Sequence, residues 1–206
     1  STEPNLQNIP VRTELGSRLR AFFKAKSGCE LVDADYSQIE LRVLAHISGD
    51  QHMIEAFNSD EDIHTKTASQ VFKMPLNFVT PEMRRRAKAV NFGIVYGISD
   101  FSLSQDIGVT RAEAREYMEK YFEKYSGVHA YMTRVVEQAK ENGYVSTLMG
   151  RRRWLPELKS SNFNLRSFGE RVALNMPIQG TAADVMKLAM IRVAARLKAE
   201  GLQARL

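Results

Sequence analysis

The spacing of apolar positions changes along the chain. Leu19–Ala25 and Glu30–Asp35 flank a turn at Ser27-Gly28 and predict a β-hairpin. After Tyr36 the spacing becomes helical: Ile39, Leu41, Val43, Leu44 and Ile47 suit a helix that ends at Gly49. From there to about Gly143 the pattern predicts helices over 51–58, 62–72, 81–96, 99–106, 110–125 and 127–142. Thr80-Pro81-Glu82 is a helix start, with Thr as N-cap, Pro at the first position and an acid in the first turn. Thr110 with Glu113 three residues later forms a capping box. Tyr144–Met149 predicts a short strand. Residues 164–175 and 181–200 predict two helices separated by Pro177 and Gly180. The first 17 residues are turn-rich, with Pro4, Pro10 and Gly16. The resulting class is α+β and predominantly helical, with strand pieces at both ends of a helical middle.

Composition adds limits. The chain has 206 residues, 44% hydrophobic and 26% charged, enough for a core without disulfides or structural metals. Its single Cys29 cannot form an internal disulfide, which favours a reducing, cytoplasmic setting. No apolar run approaches the roughly 18 residues of a membrane span, so no membrane partner is expected. A net charge of +5 favours a polyanionic partner. The chain opens in a loop without Met and closes at Leu206 in what reads as a strand just starting, so a fragment of a longer protein is expected.

Two stretches carry chemistry. VDADYSQIELR (32–42) sets Asp33 and Asp35 near the end of an apolar run that reads as a buried strand. A buried carboxylate is costly unless it is paired or bound to metal. Residues two apart face the same side of an ideal strand, so geometry alone leaves both acids as candidates. In RRRAKAVNFGIVYG (84–97), Arg84, Lys88, Phe92 and Tyr96 are four apart. They share one side of a helix, each step climbing about 6 Å. A nucleoside triphosphate along this stripe would meet Arg84 and Lys88 with its phosphates and Phe92 and Tyr96 with its sugar and base. The helix N-terminus favours the anionic end. Gly93, costly inside a helix, suggests that something flat approaches the backbone beside Phe92. The alternative is a solvated basic turn followed by a core-facing aromatic pair.

Together these motifs resemble those of family A DNA polymerases, the bacterial DNA polymerase I family. DYSQIELR (35–42) resembles the first catalytic motif and RRRAKAVNFGIVYG the nucleotide-binding helix, about 50 residues apart as in the family. PNLQNIPVR (4–12), DIHTKTA (62–68) and ERVALNMPIQGTAAD (170–184) extend the likeness along the whole chain. The resemblance implies a right-hand fold. Residues 1–38 would be the first part of the palm with part of an antiparallel sheet, 39–163 the all-helical fingers, and 164–206 a second part of the palm that stops before the His-Asp-Glu motif.

The resemblance also implies roles. Asp35, with the backbone carbonyl of Tyr36, would bind two Mg2+ ions, the second protein carboxylate being expected beyond Leu206; Asp33 would be structural. Arg84, Lys88 and His64 would hold the triphosphate of a deoxynucleotide, with Lys88 also the acid for the leaving pyrophosphate. Phe92, Tyr96 and Gln38 would complete the nucleotide site, and Glu40 would exclude a 2′-hydroxyl. Arg171, Asn175 and Gln179 would check base pairs from the minor groove, where every pair presents acceptors. Arg12, Asn5 and Gln7 would contact primer or template. The implied function is template-directed DNA synthesis for replication and repair, by a monomer at the bacterial nucleoid. Two other readings compete. A phage-type single-subunit RNA polymerase would lack the Glu40 gate. A nucleotide- and DNA-binding fragment without catalysis would follow from the absent acid, so the isolated chain is expected to be inactive. The run Arg151–Trp154 is either a template contact or a solvated basic loop, and the acids around Asp62 are expected to be solvated surface.

Overall fold

In a computed structural model, residues 9, 14–59 and 61–206 are described, and the chain divides into two units, Ser1–Ser37 and Gln38–Leu206. In the first unit, a short helix α1 (Glu14–Leu19) runs into a 3-10 turn at Arg20–Phe22. Residues 23–36 form no strand ladder: among the described residues the single ladder is a two-stranded sheet elsewhere. The hairpin expected over 19–35 is therefore not formed. Leu19 to Phe22 are helical, and Val32 is 91% exposed rather than buried. A two-stranded hairpin is marginal unless a third strand or a helix covers its apolar face.

The second unit contains α2 (Ile39–Ser48), α3 (Gln51–Asn58), α4 (Ile63–Val71), α5 (Pro81–Val95), α6 (Asp100–Ile107), α7 (Arg111–Lys124) and α8 (Ser126–Asn142). Strands β1 (Tyr144–Ser146) and β2 (Arg152–Trp154) and the long helix α9 (Phe163–Ala199) follow. The predicted helices from 51 to 142 all appear within two residues of their expected ends. Their starts are capped by side chains: Asp50, Asp62, Thr80, Ser99 and Thr110 each accept a hydrogen bond from a first-turn backbone N–H. Asp50 serves two helices. Its Oδ1 accepts from Met53 N at 3.0 Å, and its Oδ2 accepts from Gly127 N, at the start of α8, at 2.9 Å. One buried carboxylate thus meets the positive ends of two helix dipoles. The core gathers Leu41, Leu44, Met53, Ile63, Ile94, Leu103, Tyr121, Tyr125, Val128 and Ile178.

Two local expectations need correction. The strand expected at 144–149 stops at Ser146, because the chain turns at Gly150 and returns antiparallel, pairing Tyr144 with Trp154. Helices 164–175 and 181–200 are one continuous helix, α9, with Pro177 inside it. Proline removes one backbone donor, yet Pro177 is buried and its carbonyl accepts the Thr181 hydroxyl at 2.6 Å. Gly180 is not a stop. A Cβ there would meet Thr147 Cγ2 at 2.6 Å, so this glycine lets the β1–β2 turn lie directly on α9.

Candidate functional site

Helix α5 is built to sort its charges. The Thr80 hydroxyl accepts from Met83 N at 3.2 Å and Pro81 sets the first turn. Glu82 receives both Arg85 (Nε and Nη2, each 2.8 Å) and Arg86 (Nε, 3.0 Å). Arg84 instead faces α4, where its Nη2 and Nε donate to Asp62 Oδ2 at 2.5 and 3.1 Å. Asp62 is therefore more than solvated surface. Its other oxygen caps α4 through His64 N and Thr65 N, both at 2.9 Å. Burial pushes its carboxyl up, but the Arg84 hydrogen bond, the capped N–H groups and the Arg84 charge outweigh that and hold it low.

The capped turn sets His64 beside the stripe. The His64 ring lies 5.8 Å from the Phe92 ring, and Lys88 Nζ lies 5.9 Å above the same ring. Only 3% of His64 is exposed. Burial, with the nearby Arg84 and Lys88 charges, brings its value down to about 4 against an opposing pull from Asp62. The imidazole is thus neutral at pH 7. His64 and Lys88 thus both lie against Phe92, and Arg84 holds the residue that caps α4.

At the far end of α5, residues from three motifs meet. The Tyr96 hydroxyl donates to Glu40 Oε2 at 3.1 Å, across 56 positions of sequence. The Gln179 side chain approaches the same hydroxyl and acts to lower its pKa. Burial first, then the Glu40 charge, raises the Tyr96 phenol. Tyr96 closes the helix, and Gly97 follows with φ 65°. Ile98 N donates to Gly93 O at 2.8 Å and Gly97 N to Ile94 O at 2.9 Å, a Schellman ending. A Cβ at Gly93 would meet Ile98 Cγ2 at 2.7 Å, so the glycine makes room for the helix's own cap, and it also lines the cleft beside Phe92.

Beyond Tyr96 a cleft of about 820 Å³ opens between α5, α6 and α9, lined by Phe92, Tyr96, Ser99, Asp106, Glu170 and Arg171 among others. Arg171 is exposed and donates to Ser167 Oγ at 2.9 Å. Asn175 Nδ2 and Gln38 Oε1 are both buried without a hydrogen-bond partner. Such orphaned polar atoms are costly in a finished core. Gln38 also holds a left-handed backbone, φ 55°. Asn5, Gln7 and Arg12 lie outside the described residues.

Asp35 and Tyr36 lie in the segment 23–36 of the first unit, both exposed. A carboxylate and a backbone carbonyl are hard oxygen donors of the kind magnesium takes. Among the described residues, however, no three His, Cys, Asp or Glu side chains come together. The sequence reading also overlooked Asn91. It is a fully buried polar residue on the face of α5 that otherwise carries Ala87, Val90 and Ile94. A polar residue at an apolar position of the helical period was the available signal.

The comparisons with known proteins bear on these motifs. The model of the family described as DNA polymerase family A matches residues 1–206. The chain is 60% identical to DNA polymerase I of Bacillus subtilis (strain 168) and 59% identical to that of Bacillus caldotenax. In both cases the match covers 100% of this chain and 24% of the relative, so the chain spans about a quarter of these relatives' length. A solved structure, the POL domain of Pol1 from M. smegmatis in complex with DNA primer-template and dNTP, superposes with a TM-score of 0.91 at 51% identity. That match covers 100% of this chain and 36% of the solved one. Among the described residues, no helix is long and apolar enough to cross a membrane.

Proposed function

This chain belongs to DNA polymerase family A, and from that premise we propose that it carries the nucleotide site of a template-directed DNA polymerase, with residues 39–163 as fingers and 1–38 and 164–206 as parts of the palm. The observation that carries the reading is the convergence of three separated motifs on one phenol. Glu40, Tyr96 and Gln179 meet at the end of a helix whose other end is cationic.

In this reading Arg84, Lys88 and His64 receive the triphosphate. Arg84 then exchanges an exposed pairing with Asp62 for the phosphates, a small loss since exposed ion pairs contribute little. Phe92 faces the deoxyribose. Glu40, held by Tyr96, occupies the space that a 2′-hydroxyl would need. Lys88 stands where it can pass a proton to the departing pyrophosphate. Arg171, Asn175 and Gln179 supply donors to minor-groove acceptors of the newest pairs, and the orphaned Asn175 amide gains its partner there. Arg12, Asn5 and Gln7 are assigned to primer or template. Asp35 and the Tyr36 carbonyl would hold Mg2+, which when bound polarises the phosphate and lowers the pKa of the attacking hydroxyl.

The test is Asp35→Ala in the full-length protein. Primer extension should fall below detection while affinity for primer-template stays within about twofold. Surviving extension would remove the metal assignment and with it the catalytic reading.

A further inference from the structure

We propose that Asn91 is a positioning residue for His64: its buried amide fixes the imidazole in the tautomer with the proton on Nε2, so that the ring offers an N–H donor to the triphosphate. The proposal rests on the reading above that His64 meets the triphosphate.

Asn91 is fully buried, one position before Phe92. Its Nδ2 lies 3.0 Å from His64 Nδ1 and 3.2 Å from Thr67 Oγ1. Its Oδ1 lies 3.3 Å from Thr67 Oγ1, and that hydroxyl lies 3.4 Å from the Tyr125 hydroxyl. One assignment of protons satisfies every group. Asn91 Nδ2 donates one hydrogen to His64 Nδ1 and the other to Thr67. Thr67 donates its single proton to Asn91 Oδ1, and Tyr125 donates to Thr67. The threonine then uses one donor and two lone pairs, the full capacity of a hydroxyl. Inverting the amide would put the two-donor nitrogen beside Thr67 alone. One N–H would then be buried without an acceptor, at a cost of about 1–3 kcal/mol.

The consequence falls on His64. The ring is neutral at pH 7, because burial and the neighbouring Arg84 and Lys88 charges disfavour the imidazolium. A neutral imidazole has one proton and one lone pair. With Nδ1 accepting from Asn91, the proton is on Nε2. The opposite tautomer would turn a lone pair toward an anion. Asn91 therefore acts on the nucleotide through histidine, from a buried position.

The first measurement needs no variant. In 15N-histidine-labelled full-length protein, with the His64 resonance identified by its loss in His64→Gln, the nitrogen shifts should show the Nε2–H tautomer. The Nδ1–H signature would overturn the proposal. The second is a double-mutant cycle on deoxynucleotide affinity. Asn91→Ala should weaken nucleotide binding by about tenfold, the scale of one hydrogen bond to a charged group. Primer-template affinity should not change. In the His64→Ala background, Asn91→Ala should cost nothing further. Additive losses would overturn the proposal, since a merely structural Asn91 would act without His64. If His64→Ala leaves nucleotide affinity unchanged, the underlying triphosphate reading falls, whichever tautomer the spectrum shows.

Discussion

At the scale of single residues, the geometry around Tyr96 and His64 makes two measurable claims. Glu40 accepts from the Tyr96 hydroxyl at 3.1 Å and is thereby held in one place. If its role is to fill the space of a 2′-hydroxyl, Glu40→Ala in the full-length enzyme should raise the relative use of ribonucleotides by at least tenfold. Competitive incorporation of deoxy- and ribonucleotides measures this, and an unchanged ratio would remove the gate. His64 makes a claim about stability. Its folded value, about 4, lies below the 6.5 of a free imidazole. Above pH 6.5 neither the folded nor the unfolded chain protonates it, and stability does not depend on it. As pH falls from 6.5 toward 4 the unfolded chain gains a proton that the folded one does not, so stability drops, by at most about 1.4 kcal/mol per pH unit. Urea midpoints at pH 7 and pH 5 should therefore shift more for the unaltered protein than for His64→Gln. Equal shifts would show that His64 is not buried neutral.

At the scale of elements, the sequence was informative where local chemistry decides and silent where tertiary contact does. The start of α5 was legible because Thr80 and Pro81 act within one turn. The cationic-to-aromatic stripe was legible because it depends only on the helical period. The continuity of α9 was not, because the packing that buries Pro177 inside the helix is tertiary. Gly93 and Gly180 were visible as glycines but not by cause, since each makes room for a side chain, of Ile98 and Thr147, whose approach is tertiary. The 19–35 hairpin failed for the same kind of reason: alternation supplies a strand only where another strand or a covering face exists. Gly180 allows a sharp test. The Thr147 methyl presses on it, while the Thr147 hydroxyl donates to buried Asp184 at 2.8 Å. Asp184 also takes Arg151 Nε at 2.9 Å. Gly180→Ala should destabilise the chain by about 1–3 kcal/mol through overpacking. Adding Thr147→Ser removes the obstructing methyl but keeps the hydroxyl, and should recover most of the loss in denaturant unfolding. No recovery would mean that the glycine is required for some other reason.

At the scale of the whole molecule, the question is whether these residues suffice for chemistry. The proposed displacement uses two divalent cations about 4 Å apart. At an effective dielectric of 20 their mutual repulsion is roughly 17 kcal/mol. Only several carboxylates, with the substrate phosphates, can offset a term of that size. Among the described residues no three metal-ligating side chains come together, and the chain's own net charge is +5. The nucleotide side is better supplied, with Arg84, Lys88 and His64 already adjacent on α4 and α5. Binding and catalysis should therefore separate. The 206-residue chain, given magnesium, should bind deoxynucleotides and DNA in a salt-sensitive way, because the cationic end of α5 and the basic surface act without metal. It should not extend a primer. Nucleotide binding by fluorescence and primer extension on the same preparation measure the two sides. Extension above background would show that Asp35 finds enough carboxylate company within the chain, and the two-ion assignment would have to be rebuilt around residues such as Asp33.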